Sequence, residues 1–451
     1  MNKNILLFII VLIGINAVCG QWLNQDVTRT IDLTTQISKS IIQIKAKNTG
    51  SDSSTYQFAI NKSYKASLAV LDEQSKDLPV RFVETKQEFN IYEAKFNSVV
   101  KSGSTVSLKV ALTLLQQMKP YPEHISQTET QLVTYKDNVY FSSPYQTETQ
   151  KTTVKVPTGR MESFTDIEPT QSKSSQVIYG PYKDVKGLQQ TEFTVHFENN
   201  SPFLMLNKLE KEYEVSMWGN LAVETNYYFE HRGAKLKGAF SRLDYQRNPS
   251  ASASHVSEIK EIVPRDSADF YYRDQIGNIS TSTYTYNTNS ITLKIVPRFP
   301  LYGGWKNEFY TGYNLPIDKF LSRDLDTGRY VLNVSMGVNI EGIYVGDHEI
   351  RFVLPEGASD IEFKLPNQIQ PVSHRFENRK TFLDTVGRPV LIISTHDTTY
   401  ENLRYVQVSF NLSYFSIFHE ALLVTGAVFA FCILVMILTR VDFSLSKVKS
   451  N

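Results

Sequence analysis

Residues 215–223 have the sequence Val-Ser-Met-Trp-Gly-Asn-Leu-Ala-Val, in which two short alternating runs flank Gly219-Asn220. A Gly-Asn pair between two such runs is typical of the two-residue loop of a β-hairpin. Alternation of apolar and polar side chains predicts strands with one face against a core and the other face in water. This stretch therefore predicts an antiparallel sheet in the middle of the chain.

The same period-two pattern recurs along the chain. Further alternating runs occur at Val106, Leu108, Val110 and Leu112, at Phe193, Val195 and Phe197, at Ile291, Leu293 and Ile295, and at Val406, Val408, Phe410 and Leu412. Aromatic residues make up 12% of the chain, mostly Tyr and Phe, and this composition also favours strands. We predict a mostly β protein with two antiparallel β-sandwich-like domains.

Both ends of the chain carry apolar segments. The first, at 1–20, has Lys3 before an apolar run and then small residues, which is the pattern of a signal peptide. The second, Ala421–Thr439, contains 19 uncharged residues, enough for one membrane-spanning helix. Because Arg440 follows it, the positive-inside rule places the C-terminus in the cytosol. The chain is thus predicted to be a single-pass type I membrane protein.

The length of 451 residues fits two lumenal domains between these segments. We predict a signal peptide at 1–20, a first lumenal β domain at 21–224, a second at 225–416, the transmembrane helix at 417–440 and a short cytosolic tail at 441–451. The segment 142–176 is rich in Ser, Thr, Gln and Glu, and it fits either a linker or a long excursion inside the first domain.

Charge and cysteine content exclude several classes of protein. The 47 Lys and Arg residues nearly balance the 46 Asp and Glu residues, so the chain lacks the basic surplus of a nucleic-acid-binding protein. The two cysteines, Cys19 and Cys432, lie in the two apolar segments. Consequently the part between them can form neither a disulfide framework nor a cysteine zinc site.

Motifs that carry catalysis are missing, apart from one weak pattern. The sequence contains no P-loop, GxGxxG, GxSxG, HExxH or CxxC motif. Asp324-Leu-Asp326 has the DxD form with which nucleotide-sugar transferases hold a divalent cation, but the following Thr-Gly also fits an ordinary turn. A basic stretch at 231–247, with Phe240 and Tyr245 interleaved, fits either an anionic partner or a solvated hairpin face. We predict no catalytic residue, cofactor or metal.

Glycosylation acceptors of the form Asn-x-Ser/Thr occur at Asn61, Asn199, Asn278, Asn333 and Asn411. Asn411 lies too close to the predicted membrane to be reached easily. Asn278, within Gly277-Asn-Ile-Ser-Thr-Ser282, is the best candidate for an exposed turn. The predicted glycosylated positions are therefore Asn278, Asn61, Asn199 and Asn333.

The C-terminal residues contain the pattern of a retrieval signal. Lys447 and Lys449 are the fifth and third residues from the end, the spacing of the dilysine signal that retrieves type I proteins to the endoplasmic reticulum. Ordinary basic charge beside a membrane helix is the alternative interpretation.

From Tyr179 onward the chain resembles the ribophorin I family. Short blocks occur in family order across about 210 residues, among them His196-Phe-Glu-Asn-Asn-Ser-Pro-Phe203 and Arg298-Phe-Pro-Leu-Tyr-Gly-Gly-Trp305. The other blocks are Tyr179–Tyr182, Trp218–Asn220, His231–Gly238, Phe240–Arg247, Tyr271–Ser280, Gly312–Pro316, Leu354–Ala358 and Gly387–Pro389.

The resemblance implies a non-catalytic, structural and substrate-presenting subunit of the oligosaccharyltransferase complex in the endoplasmic reticulum membrane. Its partners would be the other subunits, nascent polypeptides and the protein translocon. A polytopic catalytic subunit would transfer the dolichol-linked oligosaccharide to Asn in Asn-x-Ser/Thr. Because Asn278 falls inside a matching block, the resemblance also supports its glycosylation.

Two other functions fit parts of the sequence. A type I adhesion or receptor protein would have the same β-rich ectodomain and span, but the lack of lumenal cysteines and the dilysine-like ending argue against it. A self-sufficient glycosyltransferase would use Asp324 and Asp326 with a metal ion. Its single span would offer little means of holding a polyisoprenoid donor.

Overall fold

A computed structural model describes residues 22–247, 254–365, 373–381, 383–399 and 405–441. Strands account for 58% of the described residues and helices for 9%. The predicted mostly β fold with one C-terminal apolar helix is therefore confirmed. The predicted signal peptide at 1–20 and the two lysines Lys447 and Lys449 lie outside the described residues.

Sheet membership divides the β part into an N-terminal module (22–203) and a C-terminal module (204–411). The strands of the N-terminal module are β1 (Trp22–Asp32), β2 (Ser38–Asn48), β3 (Ser53–Asn61), β4 (Lys65–Asp72), β5 (Val80–Lys86), β6 (Phe89–Val100), β7 (Thr105–Leu115), β8 (Lys119–Pro120), β9 (His124–Ile125), β10 (Leu132–Asn138), β11 (Thr147–Lys155), β12 (Met161–Phe164), β13 (Thr170–Lys173), β14 (Gln176–Val185) and β15 (Glu192–Glu198).

One long sheet forms the frame of the N-terminal module, in the order β13-β14-β11-β1-β2-β7-β4. The sheet β12-β15-β10-β8 covers one half of it, and the sheet β3-β6-β5 covers the other half. Val154 packs with Val195 in the first of the two resulting cores, and Ile44 packs with Phe58 in the second. Apolar area removed from water in these two layers is the main source of the module's stability.

The strands of the C-terminal module are β16 (Leu204–Ser216), β17 (Asn220–His231), β18 (Lys235–Leu236), β19 (Ile259–Pro264), β20 (Ala268–Asp274), β21 (Gly277–Asn278), β22 (Thr283–Tyr286), β23 (Ser290–Ile295), β24 (Lys306–Pro316), β25 (Leu321–Arg323), β26 (Tyr330–Ser335), β27 (Tyr344–Val353), β28 (Ser359–Lys364), β29 (Ser373–Arg379), β30 (Arg388–Thr399) and β31 (Tyr405–Asn411). Helix α1 (Arg242–Arg247) and a 3-10 turn (Ile317–Lys319) lie between strands.

The C-terminal module repeats the plan of the first. Its long sheet has the order β21-β20-β24-β17-β16-β27-β30-β29 and is backed by the sheets β19-β23-β22 and β25-β26-β31-β28. The three sheets share a continuous core, to which Tyr227, Ile291, Phe352 and Phe410 contribute fully buried side chains. Each module is thus a sandwich of one long sheet and two short ones.

The alternating runs of the sequence coincide with strands β7, β15, β23 and β31, and their apolar members within these strands are mostly buried. The hairpin at 215–223 also forms, but its loop is one residue longer than predicted, because Ser216 already pairs with Asn220. Gly219, the last loop residue, has φ of +106°, a backbone conformation that favours glycine.

Two long strand pairs are parallel, although the pattern suggested antiparallel sheets throughout. β1 pairs with β11, and β16 pairs with β27, each in parallel register. In both cases several strands intervene along the chain between the two partners, as a parallel connection requires. Apolar alternation reports which face is buried and carries no information about strand direction.

The expected domain boundary near 224 falls inside β17, which pairs along its length with β16 and β24. The change of sheet occurs earlier, between β15 and β16. The segment 142–176 lies within the N-terminal module, where it supplies β11 to the long sheet.

The two modules contact each other through polar and apolar groups. Gln36 Nε2 donates to the carbonyl oxygen of Gly342 at 2.6 Å. Leu115 and Tyr344, one from each module, are buried in the same small cluster. In addition, β9 pairs in parallel with β18, which joins the modules by backbone hydrogen bonds.

The chain leaves the last strand almost directly into its helices, α2 (Tyr414–Ile417) and α3 (His419–Arg440). Ser413 caps α2, since its side chain accepts a hydrogen bond from the N–H of Phe415 at 3.3 Å. None of the 22 residues of α3 is buried, those from Ala421 onward are exposed, and the helix rises about 33 Å. That length matches the hydrocarbon thickness of a bilayer.

Candidate functional site

Arg388, the first residue of β30, connects the C-terminal module to α3. Its Nη2 donates to Glu420 at 3.0 Å, its Nη1 donates to Glu214 at 2.8 Å, and its Nε lies 3.4 Å from Asp384. Glu214 belongs to β16, so one guanidinium joins the long sheet to the apolar helix. Sequence reasoning missed this cluster, although Arg388 lies in the block Gly387–Pro389 that carries the family resemblance.

A second carboxylate at the same end holds the turn that precedes β30. Glu356 Oε1 accepts hydrogen bonds from the backbone N–H groups of Thr385, Val386 and Gly387, at 2.9, 2.5 and 2.9 Å. Although burial alone would raise the pKa of this carboxyl group, the N–H groups hold it below its usual value. The other carboxylate oxygen lies 3.8 Å from His419 Nε2, so this turn also faces α3.

Close packing completes the junction with the helices. Trp218, in the β16–β17 loop, lies edge-on to Phe418, with the ring centroids 6.0 Å apart. Gly357 approaches α2 so closely that a Cβ atom there would lie 2.6 Å from Ser416 Oγ. These contacts fix the direction in which α3 leaves the module.

The DxD motif forms a self-contained turn. Asp324 accepts hydrogen bonds from the N–H of Asp326 at 3.1 Å and from Thr327 Oγ1 at 2.6 Å. The Thr327 hydroxyl is the main cause that lowers the pKa of the Asp324 carboxyl group. Over the ranges that the structure describes, no group of three or more His, Cys, Asp or Glu side chains is placed to hold a metal ion. The Asp324 carboxylate serves its own loop.

The basic stretch 231–247 runs along the junction between the modules and does not form one face of a hairpin. Lys235 Nζ lies 2.7 Å from Glu123 of the N-terminal module, and Arg232 Nε lies 3.3 Å from Glu230. His231 is buried, and burial lowers its pKa to about 4. Lys235 therefore links the two modules, whereas Arg232 and His231 make contacts within the C-terminal module.

The aromatic residues of this stretch belong to a larger cluster. Phe240 contacts Tyr245, Tyr302 and Trp305, with ring centroids 5.6–6.0 Å apart. Tyr245 in turn lies edge-on to His255 at 5.4 Å. Contacts of this kind pack α1 against the C-terminal module.

Buried ionisable groups of the C-terminal module lie inside its core. Lys211 Nζ donates to the carbonyl oxygen of Gly337 at 2.7 Å, and burial lowers its pKa to about 8. Burial raises the pKa of Glu261, which accepts a hydrogen bond from the Tyr227 hydroxyl at 2.6 Å. Perturbed pKa values often mark active sites, but here Lys211 binds a loop carbonyl and Glu261 binds a core hydroxyl, both within the module's own core.

The N-terminal module contains a buried ion pair beside a cavity of about 330 Å³. Arg29 Nη2 donates to Asp137 at 2.5 Å, and Asp137 also accepts hydrogen bonds from the hydroxyl groups of Tyr135 at 2.7 Å and Tyr64 at 3.0 Å. Both charged side chains are almost fully buried. Arg29 lies in β1 of the long sheet and Asp137 in β10 of the covering sheet. Because the buried pair is fully hydrogen-bonded, it fixes the packing of these two sheets against each other.

Three of the predicted glycosylation acceptors reach the surface. Asn278 in β21 and Asn333 in β26 are exposed, and Asn61 at the end of β3 is partly exposed. The Asn278 side chain accepts a hydrogen bond from Arg273 Nε at 2.7 Å through its Oδ1, the oxygen that an attached glycan would leave in place.

Asn199, the fourth predicted acceptor, is fully buried in the structure. Its Nδ2 donates to the carbonyl oxygens of Leu33 at 3.2 Å and Thr35 at 3.3 Å. An oligosaccharide would replace one of the two hydrogens on this nitrogen, break at least one of these hydrogen bonds and need space in a fully buried part of the module. The sequence pattern alone cannot separate this interior asparagine from the exposed acceptors.

Known proteins match this chain over nearly its whole described length. The sequence model of the Ribophorin I family matches residues 22–439. Subunit 1A of the dolichyl-diphosphooligosaccharide–protein glycosyltransferase of Arabidopsis thaliana is 35% identical over 441 residues, covering 93% of this chain and 70% of its own. Subunit 1 of the same enzyme from Caenorhabditis elegans is 32% identical, covering 98% of this chain and 76% of its own.

A solved structure of yeast LTA4 hydrolase aligns with 43% of this chain and 31% of its own, at a TM-score of 0.30 and 6% identity. That likeness is too low to support an inference. The sequence match instead covers both modules and α3 in one continuous range. The chain belongs to the ribophorin I family.

Proposed function

We propose that the protein is a non-catalytic, structural and substrate-presenting subunit of an oligosaccharyltransferase, and so acts in protein N-glycosylation. The observation that carries this proposal is the family match over residues 22–439, which includes both modules and the apolar helix. The matched relatives from Arabidopsis and Caenorhabditis are named as subunit 1 of that enzyme. Other subunits of the complex are accordingly its partners.

The chemistry would belong to a polytopic catalytic partner, which transfers a dolichol-linked oligosaccharide to Asn in Asn-x-Ser/Thr of nascent polypeptides. Three features support this division of labour. Asp324 is committed to its own turn. The buried groups Lys211 and Glu261 bind elements of their own core. The two sandwiches and the junction around Arg388 provide a rigid frame beside the membrane.

The same arrangement supports the proposal of a single-pass topology in the endoplasmic reticulum membrane. The helix α3 is long enough to span the bilayer, and its charged residues Glu420 and Arg440 lie at its two ends. With Arg440 in the cytosol, both modules stand in the lumen. Lys447 and Lys449 would then face the cytosolic retrieval machinery, and nascent chains and the translocon would meet the lumenal modules.

Two measurements test the proposal. The complex purified with an Asp324→Asn/Asp326→Asn chain should transfer oligosaccharide to an Asn-x-Thr peptide at the rate of the unmodified complex. Protease added to sealed microsomes should remove a tag placed after residue 451 and leave both modules intact. Loss of transfer in the variant would instead assign catalysis to this chain. Digestion of the modules would show that they face the cytosol, the reverse of the proposed topology.

A further inference from the structure

Three turns of the C-terminal module lie at the end where the chain enters α2 and α3. They are the β16–β17 loop, the β25–β26 loop and the turn that precedes β30. The β25–β26 loop is placed there by register, because Tyr330 pairs with Phe410 just before β31 ends. Each turn carries an apolar side chain exposed to solvent: Trp218 is 63% exposed, Leu325 95% and Val386 71%.

Two of these turns contact the start of the helices directly. Trp218 lies against Phe418, and Thr385 Oγ1 lies 3.2 Å from His419 Nε2. The ion pair between Arg388 and Glu420 fixes the same turn to α3. The tips at Trp218 and Val386 are therefore held at a set height relative to the helix, and the register of β26 with β31 places Leu325 at the same end of the module.

That height can be compared with the layers of a bilayer. Phe418 precedes Ala421, the first residue of the uncharged run, by three positions, which is about 4.5 Å along a helix axis. Each headgroup layer is roughly 5–8 Å thick, since the bilayer measures about 40–45 Å and its hydrocarbon core about 30 Å. A tryptophan at the level of Phe418 thus lies in the headgroup layer, where Trp and Tyr are enriched.

We propose that Trp218, Leu325 and Val386 insert into the lumenal leaflet and attach the C-terminal module to lipid at three points besides the span. The inference rests on the proposed single-span topology. Lipid is the occupant because the tips surround the point where the apolar helix enters the bilayer. Arg388 is paired with carboxylates, and Asp324 accepts hydrogen bonds within its own turn, so neither group needs a charged headgroup as a partner.

The test uses the full chain in vesicles of phosphatidylcholine. In a Cys19→Ser/Cys432→Ser background, a nitroxide is attached at Leu325→Cys or at Val386→Cys, and its exposure to oxygen and to a water-soluble nickel chelate is measured. The matched control is Ile276→Cys, on a loop tip of the same sheet that is 82% exposed. Its strand β20 pairs Asp274 with Phe309, seven positions or about 23 Å from the Pro316 end of β24.

The expected result is that oxygen relaxes the labels at 325 and 386 more than nickel does, whereas nickel dominates at 276. Brominated phosphatidylcholine should also quench the fluorescence component that is lost in a Trp218→Phe chain. Nickel access at 325 and 386 equal to that at 276, or labels shielded from both reagents by contact with protein, would overturn the inference. Flotation of the chain with vesicles at alkaline pH separately tests whether α3 spans the membrane. A failure of the proposed topology can therefore be distinguished from a failure of the three lipid contacts.

Discussion

Arg388 donates to Glu420 across 3.0 Å, which joins the first residue of β30 to the first turn of α3. The same guanidinium binds Glu214 of β16, which is separated from β30 by β27, at 2.8 Å. A strand end, the middle of the long sheet and the apolar helix are therefore coupled by one side chain. This coupling orients the lumenal frame that we propose for the complex.

Replacing Arg388 by Gln should loosen the connection between module and helix. The carboxylates of Glu214 and Glu420 are partly exposed, so we expect a loss of about 1 kcal/mol, equal to roughly a five-fold increase in local opening. Chymotrypsin cleavage at Tyr414–Phe418 of the solubilised protein should accelerate by that factor. The control is Arg375→Gln, since Arg375 pairs with Glu349 and Glu377 but not with the helix. Equal cleavage of the two variants would contradict the assigned role.

The buried ion pair of the N-terminal module should be sensitive to removal of one charge. Asp137→Asn leaves the Arg29 guanidinium buried without a counter-charge, which typically costs 3–5 kcal/mol, so the free energy of unfolding should fall by about that amount. Lys136→Gln is the control, because Lys136 and Glu192 form an exposed pair at 3.5 Å. Urea unfolding of both variants measures the difference, and a loss below about 1 kcal/mol for Asp137→Asn would refute the assignment.

Two buried histidines should make the protein less stable in acid. Burial lowers the pKa of His348 to about 3 and that of His231 to about 4, whereas an unfolded chain protonates histidine near 6.5. Below pH 6.5 the unfolded state therefore binds more protons. The free energy of unfolding falls by up to about 1.4 kcal/mol per pH unit for each histidine, until the folded-state pKa is reached.

His348→Leu removes one of these sites. Between pH 6.5 and 4.5 the variant should lose about 2 kcal/mol less stability than the unmodified chain, as measured by denaturant unfolding at each pH. Replacement of the exposed His374 by Leu is the control and should leave the slope unchanged. A slope of His348→Leu identical to that of the unmodified chain would show that His348 is not held neutral.

Exposure should decide which acceptor asparagines carry glycans. We expect Asn278→Gln and Asn333→Gln each to remove one endoglycosidase-sensitive shift in gel mobility, and Asn61→Gln to do the same at partial occupancy. Asn199→Gln should remove none, because the Asn199 amide is enclosed by backbone carbonyl groups. A glycan detected at Asn199 in the folded protein by mass spectrometry would contradict the packing described for β15 and its neighbours.

Much of the fold could be predicted from the sequence because burial leaves a local pattern. Phe193, Val195 and Phe197 alternate with polar residues, and all three are fully buried in β15. The apolar run after Ala421 likewise predicts α3 from its composition. Strand direction and sheet order depend on long-range pairing, such as that of β1 with β11, and they leave no such local mark.

The candidate site was less predictable for the same reason. Arg388, Glu214 and Glu420 are separated by up to 206 positions and show no spacing that would link them. Asp324 and Asp326 stand out as a motif, yet the structure uses Asp324 to hold a turn. Asn199 matches the acceptor pattern, and only the fold reveals that it is interior.

The most direct test of the central claim is a pull-down of the tagged full chain from membranes in mild detergent. The eluate is identified by mass spectrometry and assayed for oligosaccharide transfer to an Asn-x-Thr peptide. The account predicts co-purification of a polytopic transferase together with that activity, and no activity once the chain is separated from its partners. A chain that elutes alone and inactive in several detergents, or that is active by itself, would contradict it.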